Sequence, residues 1–280
     1  MIFRIDSSLT KDKLAKMRLS LFLPVICSFL FKALYSETSD TDLKHYRAHE
    51  WEDSESKSFL YRTASPEKME KGKTYPILVF FHGAGGRGSD NKGQLLDAGG
   101  LQAFERAGLR TTLSSHFFAG LVPKGERWVD VHWSLLGHKM PRISDSMRMA
   151  FEAVDAYIDN PDNQVDTKRI YVMGLSMGGY GTWDAIQRRP DFFAATVPIC
   201  GGGDSSLAHR LTKLPIWAWH GNLDKVIKPS RSSDMIDAIS KSGGSPKYSE
   251  IKGRGHNSWV DCWKSQEMWT WLYSQKNKGS

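Results

Sequence analysis

The chain has 280 residues, of which 40% are hydrophobic and 25% charged, proportions that exclude a disordered or fibrous polypeptide and fit one large domain or two small ones. The formal net charge is +7, but residues 1–36 hold six Lys/Arg against two Asp, so the remainder carries a surplus of only three. With no dense Lys/Arg run, nothing supports nucleic-acid binding.

The N-terminus reads as a leader. Leu19–Phe31 is a run of thirteen uncharged, mostly apolar residues after Met17-Arg18, and polar sequence begins at Ser36. A charge, a short apolar core and then small or polar residues form the pattern of a secretory signal peptide, here residues 17–36. The core falls short of the ~20 apolar residues of a permanent span. The mature chain is therefore expected to be secreted or periplasmic, without a stable membrane span. An uncleaved anchor is the alternative, and bulky Ile26 speaks against a lipid on Cys27. Met17 is a candidate start. The expected organisation is a leader over 1–36 and one domain over 38–276.

In chain order, residues 44–63, with Phe59, Leu60 and Tyr61, suggest early edge strands. Ile77–Phe81 (ILVFF) is apolar throughout and predicts a strand buried on both faces. Leu95–Arg106 predicts a helix and Phe117–Val122 a strand. Across Ser144–Ile158, the residues Met147, Ala150, Phe151, Val154 and Ile158 share one helical face. Arg169–Met173 is a strand, and Gly179–Arg189 a helix closed by Pro190. Ala194–Ile199 and Ile216–Trp219 are strands, Ser230–Ser240 a helix, Lys247–Ile251 a strand and Ser265–Tyr273 a final helix. Strands alternating with helices predict an α/β fold, with a mostly parallel, doubly wound sheet flanked by helices.

Gly174-Leu175-Ser176-Met177-Gly178 follows a buried strand and precedes a helix. That is the context of a nucleophile elbow, a strained turn that tolerates little bulk beside its serine. A serine hydroxyl needs a base at neutral pH. His256, in GRGHNS, follows the strand Lys247–Ile251, and Asp224, in HGNLD, follows the strand Ile216–Trp219. Ser, Asp, His, each beyond a strand's carboxyl end, is the α/β-hydrolase order, with Asp224 holding the imidazole tautomer. His82-Gly83-Ala84-Gly85-Gly86 follows the strand Ile77–Phe81, where an oxyanion hole belongs. The backbone N–H groups of Ala84 and Met177 are its candidate donors. The same loop matches neither a P-loop nor G-x-G-x-x-G, so a phosphate site is not read there. Catalysis of this kind needs no cofactor, and no zinc-type Cys/His spacing is present, so no metal is expected. Cys200 and Cys262 are either a disulfide or two buried free thiols.

HGAGGRGSDN, WVDVHW, RIYVMGLSMGGYGTWDA, VPICGGGD, WAWHGNLDKVI and GHNSW together resemble the bacterial esterases and "predicted peptidases" near the dienelactone-hydrolase and prolyl-oligopeptidase groups. Polyhydroxybutyrate-depolymerase-like and feruloyl/acetyl-xylan esterases are similar too. The resemblance spans residues 75–273 and implies an α/β-hydrolase fold with Ser176, Asp224 and His256 as catalytic residues. It does not specify a substrate. Dienelactone hydrolases proper use a cysteine nucleophile where this chain has Ser176.

About fourteen residues, Gly201–Leu214, separate two successive strands, so no large lid is expected there. Trp128, Trp133 and Trp259 lie in loops expected near the site and are candidate substrate contacts, while His82 and His220 read as structural. The leading expectation is a serine carboxylesterase acting on small esters or acyl groups of polysaccharides. A serine peptidase of short peptides and a non-catalytic binding relative are the alternatives. The oligomeric state is not legible.

Overall fold

The computed structural model describes residues 42–277, so the leader, Cys27 and the alternative start lie outside the described residues. Eight strands form one sheet: β1 (Arg47–Glu52), β2 (Ser58–Ala64), β3 (Tyr75–Phe81), β4 (His116–Gly120), β5 (Val165–Leu175), β6 (Ala195–Ile199), β7 (Trp217–Gly221) and β8 (Lys247–Ile251). Their spatial order is β1-β2-β4-β3-β5-β6-β7-β8. β1 and β2 are antiparallel to their neighbours, and β4 through β8 run parallel. This mostly parallel sheet with flanking helices has the expected architecture.

Burial follows composition. Every residue of β3, β4, β6 and β7 is buried, because helices cover both faces of the parallel part. Among the described residues β8 pairs only with β7, and its residues are half-buried or exposed, as suits an edge strand. Helix α3 (Asp145–Asp159) buries Met147, Ala150 and Val154, and its N-cap Ser144 accepts from the Met147 amide. α4 (Met177–Arg188) packs on β5 and β6, α5 (Ser230–Lys241) follows β7, and α6 (Trp259–Lys264) and α7 (Gln266–Ser274) close the chain.

Three local features depart from expectation. The helix expected over Leu95–Arg106 is broken into α1 (Gly93–Leu96) and α2 (Gly100–Arg106) by a turn at Asp97–Gly99. Ala98 there has φ 54° and ψ 22°, and Gly99 is also left-handed, conformations that no helix propagates. β5 begins at Val165, four residues before the expected start at Arg169, and these added, mostly polar residues are half-buried or exposed. α6 is a short helix whose mixed sequence WVDCWK carries little periodic signal.

The chain leaves β3 to β4 on one side, and β5 to β8 fill the other. The order thus reverses between β3 and β5, and in open α/β sheets ligands bind beyond the strands' carboxyl ends at such a point. The connection between β6 and β7 contains only a 3-10 turn at Ser205–Leu211, so no large lid is inserted there.

Candidate active site

Ser176 sits between β5 and α4 with φ 55° and ψ −117°, a backbone state costly for a residue with a Cβ. Close packing imposes it. A Cβ placed on Gly178 collides with the carbonyl oxygen of Phe81 and comes within 2.7 Å of that of His82. Gly178→Ala is therefore expected to push α4 off β3, lowering stability by about 1–3 kcal/mol and displacing the serine; thermal melts and turnover of the variant check this. The Ser176 amide donates to the Ile199 carbonyl at 2.9 Å, which ties the turn to β6.

His256 arrives from the loop after β8. Gly221 lets this loop pass, since a Cβ there meets the carbonyl oxygens of Arg254 and Gly255. Arg254 pairs with Asp261 of α6 through Nε–Oδ2 at 2.6 Å and Nη2–Oδ1 at 2.9 Å, and the Leu223 amide donates to the Arg254 carbonyl at 2.9 Å. So held, His256 Nε2 lies 2.9 Å from Ser176 Oγ, and His256 Nδ1 lies 2.7 Å from Asp224 Oδ2.

Asp224 is buried and fully partnered. The amides of Val226 and Ile227 donate to Oδ1 at 2.8 and 3.0 Å, while His256 and His220 share Oδ2. Burial alone would raise this carboxyl, but the hydrogen bonds from His220 and His256 hold it well below the usual carboxylate range. A depressed carboxyl adds stability above ~pH 4, the unfolded value, and that stability is lost as the pH falls further. Because an ionised carboxylate can only accept, His256 Nδ1 carries a proton and its Nε2 presents a lone pair to the serine.

The loop after β3 lies across from Ser176. The Val122 amide donates to His82 Nε2 at 3.0 Å, so His82 Nδ1 is protonated and donates to the Gly83 carbonyl at 2.6 Å. Burial pushes this ring down to about 4, so it is neutral at pH 7. The Ala84 and Met177 amides, the expected oxyanion donors, make no hydrogen bond to another part of the protein among the described residues. Met177 opens α4, where the first amides have no intrahelical partner.

A pocket of about 250 Å³ joins these parts, lined among others by Ala84, Asp97, Trp133, Ser176, His256 and Trp259. Trp259 meets the His256 ring edge-on, at 5.4 Å and 89°. Trp133 is half-buried, and its carbonyl accepts from Tyr180 Oη at 3.3 Å; Arg231 Nη1 donates to the Leu136 carbonyl nearby at 3.0 Å. Trp128 corrects the third tryptophan expectation. It is 0% exposed, its ring tilted against Phe81 at 4.6 Å, with Nε1 donating to the His82 carbonyl at 3.1 Å, so it is core and meets no ligand. A larger cavity of about 690 Å³ opens near the starts of β6 and β7, away from Ser176.

Sequence reasoning missed Asp97, which nothing flagged because the strained turn that delivers it carries no motif. Burial pushes its carboxyl up to about 6 against the pull of the Gly83 and Gly86 amides. Cys200 and Cys262 are free, buried thiols, the second of the two alternatives. Cys200, Asp224 and His256 form the one group of three potential metal ligands among the described residues, their atoms within 4.8 Å. Asp224 and His256 are already bonded to each other, and burial raises the Cys200 thiol far above neutral pH, which suits a hydrogen-bonded cluster better than a metal cage. Among the described residues, no helix is long and apolar enough to cross a membrane.

Comparison with known proteins agrees with this fold. Residues 123–219 match the prolyl oligopeptidase family. Over 121 residues the chain is 27% identical to the bifunctional acetylxylan esterase/xylanase XynS20E of Neocallimastix patriciarum, a match covering 42% of this chain and 16% of that protein. A thermostable esterase of known structure is 30% identical, with a TM-score of 0.76 over 84% of this chain and 64% of its own. A ferulic acid esterase aligns with a TM-score of 0.60 at 15% identity, covering 81% of this chain and 98% of its own. The chain thus spans less than two thirds of the first two relatives. It has the α/β-hydrolase fold and is similar to esterases and peptidases built on it.

Proposed function

We propose that the protein is a serine-dependent carboxylic-ester hydrolase acting on small esters or on acyl groups that decorate polysaccharides. The observation that carries the reading is the unbroken line from Ser176 Oγ to His256 Nε2, at 2.9 Å, and from His256 Nδ1 to Asp224 Oδ2, at 2.7 Å. In this reading His256 takes the Ser176 proton as the serine attacks the ester carbonyl. The oxyanion that forms accepts from the Ala84 and Met177 amides, which have no partner elsewhere in the protein among the described residues. Protonated His256 then gives its proton to the leaving alcohol, and a water it activates releases the acyl group from Ser176. Asp224 stays ionised throughout and stabilises the imidazolium.

The pocket volume suits a small acyl group, and the names of the acetylxylan and ferulic acid esterases support ester-linked substrates. The leader over 17–36 supports export. Trp133 offers an aromatic wall to sugar or phenolic rings. Trp133→Ala is expected to raise KM for aryl esters about 2- to 12-fold with kcat nearly unchanged, the worth of one aromatic contact; steady-state kinetics on feruloyl and p-nitrophenyl esters check it.

The match to the prolyl oligopeptidase family favours a second reading, a serine peptidase of short peptides, since ester and amide hydrolysis use the same three side chains. A panel of p-nitrophenyl esters, acetylated xylan, feruloyl esters and peptide amides separates the two. Esters turned over far faster than amides support the proposal, and the reverse order overturns it. A non-catalytic binding relative would leave a fluorophosphonate probe unreacted.

A further inference from the structure

His220 stands in β7, one residue before its end, with 0% exposure. Its Nε2 lies 3.2 Å from Asp224 Oδ2 and 3.1 Å from the Ile227 carbonyl oxygen. Both neighbours only accept, so Nε2 must carry a proton. On the other side of the ring, Nδ1 lies 2.8 Å from Ser232 Oγ in α5, and Ser232 Oγ lies 3.0 Å from the Gly201 carbonyl oxygen. Ser232 has a single proton to give. Given to Nδ1, it leaves His220 neutral; given to the Gly201 carbonyl, it requires Nδ1 to donate and makes the ring a cation. In either state the Nε2–H faces the oxygen that accepts from His256.

We infer that His220 is a positioning residue for catalysis, which fixes Asp224 by a second donor on its His256-facing oxygen and anchors that carboxylate to α5 and the end of β6 through Ser232. The inference rests on the triad reading proposed above. An apolar side chain of similar size fills the space but leaves Oδ2 with one donor and the Ile227 carbonyl with none. Relieved of a donor, the carboxylate holds the His256 proton more strongly. The other titratable group facing this cluster is the Cys200 thiol, kept protonated by burial, and Tyr180 lies close enough to feel the Asp224 charge.

The test compares His220→Leu and His220→Gln with wild type on p-nitrophenyl acetate across a pH series, with melts of each. Gln keeps an N–H in the place of Nε2. Leu is expected to lower kcat about 10- to 100-fold, the worth of one hydrogen bond to a charged group, with KM unchanged. It should also move the acid limb of kcat/KM to higher pH, while Gln restores most of the rate and the limb. A folded Leu variant with wild-type kcat, or equal losses in Leu and Gln with the limb unmoved, overturns the inference. If the Leu variant does not fold, Ser232→Ala decides. With the ring released at Nδ1, kcat falls and the limb moves, and an unchanged profile overturns the inference. Ser176→Ala is run alongside, since turnover surviving there sinks the triad reading itself.

Discussion

Ser176→Ala is expected to lower kcat by about 10⁶, the full cost of losing a serine nucleophile, and to abolish labelling by a fluorophosphonate. The fold should survive. The hydroxyl's contact is His256 Nε2, and the turn is held by backbone, through the Ser176 amide on Ile199 and the Tyr180 amide on the Ser176 carbonyl. Ala keeps the Cβ that the strained φ already accommodates. Matched melting curves together with lost labelling are the outcome that counts. Labelling that persists in the variant would place the nucleophile elsewhere.

Asp224→Asn is expected to reduce kcat by about 10³–10⁴, because the carboxamide sets the wrong tautomer. Two amides already occupy Oδ1, so the asparagine keeps its carbonyl there and turns its NH₂ toward the place of Oδ2. Two histidine N–H groups now face a donor. His256 answers by moving its proton to Nε2, which then cannot take one from Ser176. His220 has the same conflict, so the substitution disturbs both rings. Steady-state kinetics at neutral pH check the loss, and unchanged turnover would mean that another acid serves.

Much of this is legible in the sequence. The ILVFF run, the strand–GLSMG–helix transition and the Ser, Asp, His order each placed a residue at a strand's carboxyl end, because local apolar pattern and tight-turn chemistry speak through short stretches. Residues whose role depends on distant contacts were not legible. Trp128 and Trp133 are five apart in one segment, yet the first lies in the core against Phe81 and the second at the pocket. No periodicity separates them. His220 reads as structural from its Gly neighbour alone, and only the fold brings Ser232, twelve residues onward in α5, to its other nitrogen. Asp97 depends on a left-handed Ala98 that propensity argues against.

The residue proposed as base hangs from the outermost strand. Among the described residues, β8 shares its ladder with one neighbour and is open along its other side, whereas Ser176 is carried by β5 from deep within the sheet. Local opening costs less at such margins than global unfolding does. On the proposed reading, fraying of this border is expected to part His256 from Ser176 while the central scaffold endures, so that turnover is lost before the fold.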